Sequence, residues 1–318
     1  MANLNVVVLG PNDYAKDLGK KGTTSDITLY DMKKGADTVS LLEATKYPER
    51  LAPLFYACSM ADAALIVVDE LTPSLGEGIL MLDSIGIHRG WFVLRNYIPK
   101  EKIAPMLKGT SLEHFEFIAD DKVFIREMLL EIAADKKEKL GQPYGSVPID
   151  HFFNVKGVGT VVLGHVVHGS IKKHDNLKVL PTKAVAQVRS IQKHDDDFAE
   201  AGQGDRVGLA LKNVEAEELD RGYVLSNDPD LVVNDQAAGE LQVVKYWPTP
   251  LKEGTVLHVG HWMQFVPGRL ESYQTGADWR KGQAVIRLDR PLVRHAGDRA
   301  VVTQLDGAKL RMVGTIIL

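Results

Sequence analysis

Three ionisable residues in the middle of the chain carry side chains that could bind a polar or anionic group. Asp150 and His151 are adjacent and precede the run Phe-Phe-Asn-Val-Lys-Gly, and Arg206 lies in a Gly-Asp-Arg-Val-Gly segment. A guanidinium forms charge-assisted hydrogen bonds to anions, and an imidazole beside a carboxylate can change its protonation near neutral pH. A purely structural role is equally open, in which Asp150 caps a turn and Arg206 pairs with Asp205 or another nearby carboxylate.

The first apolar run of the chain leads into a partial match to a phosphate-binding loop. Gly10 and Lys16 fit the pattern G-x-x-x-x-G-K-[ST], in which backbone N–H groups and the lysine bind phosphate and the hydroxyl binds Mg²⁺. Ala15 stands in place of the second glycine, and Asp17 stands in place of the hydroxyl residue. Pro11 removes one backbone donor, and the Asp17 carboxylate adds negative charge. These differences oppose nucleotide binding.

The histidine pairs and the single cysteine do not predict a metal site or a reactive thiol. His165 and His168 would point to opposite faces of a strand, and no cysteine or acidic partner completes a ligand set for them or for His258 and His261. Cys58 lies in an apolar stretch, which favours a buried small side chain, and one cysteine excludes an internal disulfide. We therefore expect no metal.

Composition indicates an ordinary globular protein. The chain has 318 residues, of which 45% are hydrophobic and 25% charged, with a net charge of -4. This length allows two or three domains, and the charge argues that any RNA contact comes from local patches. No apolar run reaches the length of a membrane span, and the N-terminal segment has no signal-peptide pattern. We therefore expect a cytoplasmic protein with no membrane or DNA partner.

Hydrophobic periodicity divides the chain near residues 140–148. Before this point, short apolar runs alternate with amphipathic stretches, which predicts a mostly parallel sheet with helical crossovers. The predicted strands span residues 4–9, 27–30, 39–42, 64–68, 91–94 and 115–119, and the predicted helices span 49–60, 78–85, 99–107 and 123–140. After residue 148, alternating segments are separated by turns that contain Gly, Asn and Asp, which predicts two antiparallel β-barrels.

Two breaks set the predicted domain boundaries. The segment that begins at residue 141, Gly-Gln-Pro-Tyr-Gly-Ser-Val-Pro, is rich in glycine and proline, as domain boundaries often are. A second break falls near residues 227–235. We predict an α/β domain over residues 1–145, a first barrel over residues 146–229 and a second barrel over residues 230–318.

Three turn segments in the first predicted barrel carry a family resemblance. They are Gly157-Val158-Gly159-Thr160, Gly204-Asp205-Arg206-Val207-Gly208 and Glu218-Leu219-Asp220-Arg221-Gly222. They resemble segments of the second domain of EF-Tu/SelB-type translation elongation factors, above all selenocysteine-specific factors and their methanogen SelB-like paralogues. The run Arg-Leu-Asp-Arg-Pro-Leu from residue 287 is similar to the third domain of that family. The resemblance implies a P-loop NTPase fold with a truncated phosphate loop, followed by two antiparallel β-barrels.

The resemblance also implies a role for the three ionisable residues. In selenocysteine-specific factors, residues that match Asp150, His151 and Arg206 belong to the pocket for the aminoacyl end of tRNA. The guanidinium and the imidazole would bind a polar or anionic aminoacyl group. The free amine of the aminoacyl ester would suit Asp150.

The nucleotide motifs of the family are eroded in this chain. Thr24 matches the switch threonine that contacts Mg²⁺, and an alternative alignment deletes the phosphate loop and assigns residues 18–26 to that switch. Tyr47 replaces the histidine that orients the attacking water, and Lys46 replaces a glycine near the γ-phosphate, where it could substitute for the loop lysine or be a solvated turn residue. Asn96 begins a guanine-reading motif that lacks its aspartate. The vestigial nucleotide-binding residues are therefore Gly10, Lys16, Thr24, Lys46 and Asn96.

These observations predict an elongation factor-like protein that binds an aminoacyl-tRNA or the ribosome without normal GTP hydrolysis. That prediction includes no catalytic residue and no cofactor. One alternative is a divergent but active GTPase, which would need GTP and Mg²⁺. A second alternative is a scaffold or decoy whose barrels bind a protein partner. Basic residues of the second barrel alternate with aromatic ones and could contact an RNA backbone or form ordinary solvated strand faces.

Overall fold

The computed structural model describes residues 3–136, 142–306 and 310–318. The chain divides into two compact units. The first unit consists of Met1–Lys136, Gln242–Thr249 and Val301–Thr315, and the second of Lys137–Leu241, Pro250–Ala300 and Ile316–Leu318. The boundaries at residues 145 and 229 stay a prediction.

A seven-stranded sheet forms the centre of the α/β part. Its strands are β1 (Asn3–Leu9), β2 (Lys20–Thr24), β3 (Thr28–Lys34), β4 (Asp37–Glu43), β5 (Ala63–Val68), β6 (Gly90–Leu94) and β7 (Glu116–Ile118). Their order is β2-β3-β4-β1-β5-β6-β7. Five neighbouring strands, in the spatial order β4-β1-β5-β6-β7, run parallel to one another. Strands β3 and β2 extend the β4 edge of the sheet by antiparallel pairing. The apolar run at residues 6–9 of β1 and the wholly apolar β5 suit strands that are covered on both faces.

Four α-helices lie in the described part of the chain. They are α1 (Ala52–Ser59), α2 (Pro73–Ile85), α3 (Lys100–Leu107) and α4 (Lys122–Asp135). Helix α2 begins before the predicted residue 78 because Pro73 occupies its first turn and the Thr72 side chain accepts a hydrogen bond from the Leu75 N–H at 3.3 Å. Helix α4 begins after the capping side chain of Asp121, and the predicted continuation over residues 137–140 lies outside the described residues.

The first barrel begins at Gly145. Its strands are β8 (Gly145–Val155), β9 (Gly159–His165), β10 (His168–Lys172), β11 (Asn176–Leu180), β12 (Val185–Lys193), β13 (Asp196–Phe198), β14 (Glu200–Gly202), β15 (Arg206–Lys212) and β16 (Val224–Ser226). The ring β8-β16-β11-β12-β15-β9 is antiparallel and closes through the pairing of β8 with β9. Alternate aliphatic side chains of these strands, such as Val147, Val162 and Leu209, fill its core.

A second closed barrel follows. Its strands are β17 (Val232–Val243), β18 (Val256–His261), β19 (Gln264–Thr275), β20 (Lys281–Arg294), β21 (Arg299–Thr303) and β22 (Met312–Ile317). They close in the order β17-β20-β19-β18-β21-β22. The α/β sheet followed by two antiparallel barrels confirms the predicted fold class. None of the helices that the structure describes is both long and apolar enough to cross a membrane.

Candidate functional site

A bulge in β8 positions the first candidate residue. Ile149 pairs with Gly164 of β9 and His151 pairs with Leu163, so Asp150 is the extra residue between them. A β-bulge re-aims the side chain of the residue it inserts. The Asp150 side chain is buried, as is that of its strand neighbour Ile149.

Arg206 and His151 converge on the Asp150 carboxylate. Arg206 leads β15 and donates through both terminal nitrogens: Nη2 lies 3.0 Å from Oδ1, and Nη1 contacts Oδ2. His151 donates from Nδ1 to Oδ1 at 2.5 Å. The Arg221 Nε donates to the Asp150 carbonyl at 3.0 Å. The structure thus joins the three predicted residues and adds Arg221, whose only sequence signal was its Glu-x-x-Arg-Gly turn.

The three side chains of this network differ in their exposure to solvent. The Asp150 side chain is 0% exposed, whereas His151 and Arg206 retain 13% and 12% exposure. Burial alone would raise the pKa of Asp150, but the Arg206 charge and the hydrogen bonds from His151 and Arg206 hold that pKa below its usual range. Both carboxylate oxygens already accept hydrogen bonds from the imidazole or the guanidinium, which Asp150 thereby orients. The predicted contact between Asp150 and a ligand amine stays a prediction.

Asp205, the carboxylate next to Arg206 in the chain, has partners of its own. Asp205 forms an ion pair with the Lys193 Nζ at 2.5 Å and accepts a hydrogen bond from the Gly202 N–H at 2.9 Å. Phe153 lies two residues beyond His151 on β8 and is 42% exposed. Residues two apart on a strand share a face, so an aromatic surface accompanies the imidazole.

The second candidate region follows β1, where the predicted phosphate loop is shortened to a tight turn. Gly10 has φ +149°, and a Cβ there would lie 2.6 Å from the Val67 carbonyl oxygen. Tyr14–Asp17 then form a 3₁₀ turn in place of a long loop and helix. Glycine is therefore needed at position 10 for close packing against β5, independently of any phosphate.

A carboxylate of the protein occupies the backbone donors of this turn. The Glu43 Oε2 accepts from the Asp13 N–H at 3.0 Å, and its Oε1 accepts from the Ala15 N–H at 2.7 Å. Glu43 ends β4 and is 4% exposed. Burial raises the pKa of Glu43, although the two backbone hydrogen bonds lower it. These amides, which would cradle a phosphate in a complete loop, already have an internal anion.

A contact network joins the 3₁₀ turn to the ends of β6 and β7. The Tyr14 hydroxyl donates to Asp120 at 2.6 Å, and the Lys122 Nζ lies 2.8 Å from the centre of the Tyr14 ring. Lys122 and Arg95 form ion pairs with Asp120, each at 3.2 Å. Asn96 is exposed and donates to the Asp69 carbonyl at 3.1 Å. Its amide is therefore engaged by the backbone beyond β5.

A cavity of about 430 Å³ lies at the carboxyl ends of β1, β4 and β5. Ligands bind at this edge of open α/β sheets. Its lining includes the carboxylates Glu43, Asp69 and Glu70 and, among the residues described, no lysine or arginine. Of the five vestigial nucleotide-binding residues, Gly10 alone lines the cavity. Three of the remaining four residues are exposed and lie in separate segments: Lys16 in the 3₁₀ turn, Thr24 at the end of β2 and Lys46 in the turn after β4.

Tyr47 belongs to a second ion-pair network in the first unit. Its hydroxyl donates to the Ser74 carbonyl at 2.7 Å and lies 3.2 Å from Glu77, a buried residue of α2. Arg311 forms a fork on Glu77, with Nη2 2.5 Å from Oε2 and Nε 3.1 Å from Oε1, and its guanidinium lies 5.8 Å from the Tyr47 ring centre. No local pattern in the sequence indicated the pairing of Arg311 with Glu77, because these residues are far apart in the chain.

Comparisons with known proteins agree with this architecture. Residues 159–226 match the sequence family described as Elongation factor Tu domain 2. An uncharacterised protein of Methanocaldococcus jannaschii is 40% identical over 94% of this chain and 94% of its own length. The Elongation factor 1-alpha of Pyrobaculum arsenaticum is 33% identical over 91% of this chain and 74% of its length.

A solved structure extends the similarity to three dimensions. The translation elongation factor SelB from Methanococcus maripaludis, in complex with the GTP analogue GppNHp, matches 100% of this chain and 79% of its own, with a TM-score of 0.82 and 25% identity. The fold, the barrel motifs and these relatives lead to one conclusion. The chain belongs to the EF-Tu/SelB-type family of translation elongation factors.

Proposed function

We propose that the protein binds an aminoacyl-tRNA through its first barrel and does so without a GTP cycle. The observation that carries this proposal is the Glu43 carboxylate, which accepts hydrogen bonds from the Asp13 and Ala15 amides. A polyphosphate would have to displace a buried side chain from those donors. It would also meet the negative charge of Asp69 and Glu70 in the adjoining cavity.

The contacts of Asp120 support the same proposal. The ring of Tyr14 packs beneath Lys122, and both side chains contact Asp120. Guanine selectivity depends on a carboxylate that accepts from the base edge, and Asp120 already accepts the Tyr14 hydroxyl and pairs with Arg95. Opening this cluster for a base would break several contacts at once.

The binding function rests on the Asp150 network. A guanidinium and an imidazole that one buried carboxylate orients are preorganised donors, and preorganisation lowers the entropic cost of binding a polar group. The exposed Phe153 ring on the same strand face would stack on an unpaired terminal base. Phosphate contacts from exposed basic residues of the second barrel, such as Arg269 and Arg299, would add a salt-dependent contribution. A cytoplasmic location belongs to this proposal.

Binding of aminoacylated and deacylated tRNA, measured by fluorescence anisotropy over a range of salt concentrations, tests the proposal. We expect affinity that falls as salt rises and does not change on addition of GTP or GDP with Mg²⁺. His151→Gln should weaken binding of the aminoacylated form about tenfold and leave the deacylated form unchanged. His114→Gln, at an exposed histidine of the first unit, is the matched control.

The alternatives have distinct outcomes. Sub-millimolar binding of GTP or GDP in calorimetry, or tRNA binding that requires GTP, would establish the active GTPase instead. Absence of RNA binding at low salt, together with a protein that is captured after RNase treatment, would establish the scaffold. Binding to ribosomes without binding to free aminoacyl-tRNA would move the RNA partner from the tRNA to the ribosome.

A further inference from the structure

Two histidines and one aspartate from separate segments meet in the second unit. His168 begins β10, Asp228 follows β16, and His295 follows β20. One ligand atom from each lies within 4.8 Å of the other two. The sequence prediction of no metal site rested on the lack of an acidic partner for His168, and the fold supplies that partner from a distant segment.

The distances are close to those of a tetrahedral metal site. The His295 Nε2 lies 2.9 Å from the Asp228 Oδ2, and the His168 Nε2 lies 3.7 Å from the same oxygen. Zinc bonds to imidazole nitrogen and carboxylate oxygen are about 2.0–2.2 Å long, which places tetrahedral ligand atoms roughly 3.3 Å apart. Small side-chain rotations would therefore bring all three ligand atoms onto one ion.

Surrounding contacts hold these side chains in place. The Asp228 Oδ1 accepts from the Asp230 N–H at 2.9 Å, which leaves Oδ2 directed at the two histidines. The Asp298 Oδ2 accepts from the His295 N–H at 2.8 Å and lies 3.8 Å from His295 Nδ1. The Asp298 carboxylate thus fixes the backbone of His295 and lies near the second nitrogen of its ring, where a metal-binding histidine commonly has a hydrogen-bond partner.

The cluster also has the accessibility that ion entry requires. The Asp228 side chain is 4% exposed, His295 is 22% exposed, and His168 is 39% exposed. The site is therefore closed around the carboxylate and open on the side of His168. A water molecule could complete a fourth position there, and two imidazoles with one carboxylate would leave a bound divalent ion with a net charge of about +1.

We propose that His168, Asp228 and His295 bind one zinc ion. The ion joins strand β10, the segment after β16 and the loop between β20 and β21. Two imidazoles and one carboxylate are a ligand set that catalytic zinc sites use, with a water molecule in the fourth position. The site is independent of the proposed RNA-binding function, because Asp150, His151 and Arg206 contribute no ligand.

Zinc titration of the full chain, stripped of metal with a chelator, tests the proposal by calorimetry. We expect one equivalent to bind, at least about tenfold more weakly in His168→Ala and in His295→Gln. A glutamine at position 295 can still donate a hydrogen bond to Asp228, so loss of affinity in that variant separates metal binding from a hydrogen-bond network. His88→Ala, at an exposed loop histidine, should bind like the unmodified protein.

Two further measurements distinguish a loss of metal binding from a folding defect in the variants. Cobalt should give the visible absorption of a tetrahedral site in the unmodified protein and in His88→Ala, and not in His168→Ala. Zinc should raise the thermal midpoint of the same two proteins only. Absence of stoichiometric binding, or equal affinity in all variants with unchanged circular dichroism, would overturn the proposal.

Discussion

Removing the Arg206 charge should destabilise the first barrel strongly. Asp150 has no exposed side-chain surface, and Arg206 supplies two of its hydrogen bonds and its charge partner. Breaking a buried ion pair from one side costs about 3–5 kcal/mol because the remaining charge is uncompensated. For a unit of this size, 1 kcal/mol corresponds to a shift of about 2–4 °C, so Arg206→Met should lower its thermal midpoint by about 6–20 °C.

Differential scanning calorimetry resolves this change and its cause. The double variant Asp150→Asn with Arg206→Met removes both charges, so it should recover most of the lost midpoint. Arg189→Met, at an exposed arginine of β12 in the same barrel, should stay within about 0.5 kcal/mol of the unmodified protein. A single variant as stable as the Arg189 control, or a double variant no better than the single one, would refute the reasoning.

The loss of stability in Arg206→Met should also depend on pH. In the unmodified protein the Asp150 pKa is depressed, so its contribution is complete above the unfolded-state pKa of about 4 and is lost as the pH falls through the folded-state pKa. In Arg206→Met, burial would instead raise the pKa of Asp150, and protonation would relieve the buried charge. The stability difference between the two proteins should therefore shrink between pH 7 and pH 4.5.

Two predictions concern the first unit. Glu43→Ala leaves the amides of Asp13 and Ala15 without their acceptor. Pyrophosphate should therefore raise the thermal midpoint of this variant and not that of the unmodified protein. Equal shifts in the two proteins would show that Glu43 does not exclude anions. Arg311→Ala should lower the free energy of unfolding, measured with denaturant, by about 3–5 kcal/mol, because the buried Glu77 carboxylate loses its ion-pair partner. The double variant Arg311→Gln with Glu77→Gln should lose less. Equal losses in the two variants would contradict the assignment.

Most of the α/β fold could be predicted from local patterns. The apolar runs of β1 and β5 and the periodic stretches of α3 and α4 have strong one-dimensional signals. The boundaries were less well determined. Helix α2 begins at Pro73 because of its cap, and β2 forms where the sequence suggested a switch loop, because an edge strand needs only backbone pairing with β3.

The candidate sites show a similar division. The family motifs located Asp150, His151 and Arg206, and the structure joins them. The sequence did not show that Asp150 lies at a bulge or that its carboxylate is buried, because a one-residue insertion in a strand pair depends on the partner strand. It also did not show that Glu43 binds the shortened loop, although the loss of the second glycine and of the hydroxyl residue pointed toward a changed anion site.

The sequence by itself determined the fold class, the family and the differences from the phosphate-loop and base-recognition motifs, because these depend on residue types at fixed local spacings. Only the tertiary structure decided which charges meet. Glu43 reaches the amides after β1, Arg311 reaches Glu77, and Asp228 lies between two histidines, each across a large separation in the chain. Such contacts arise from strand order and register, which no local pattern specifies.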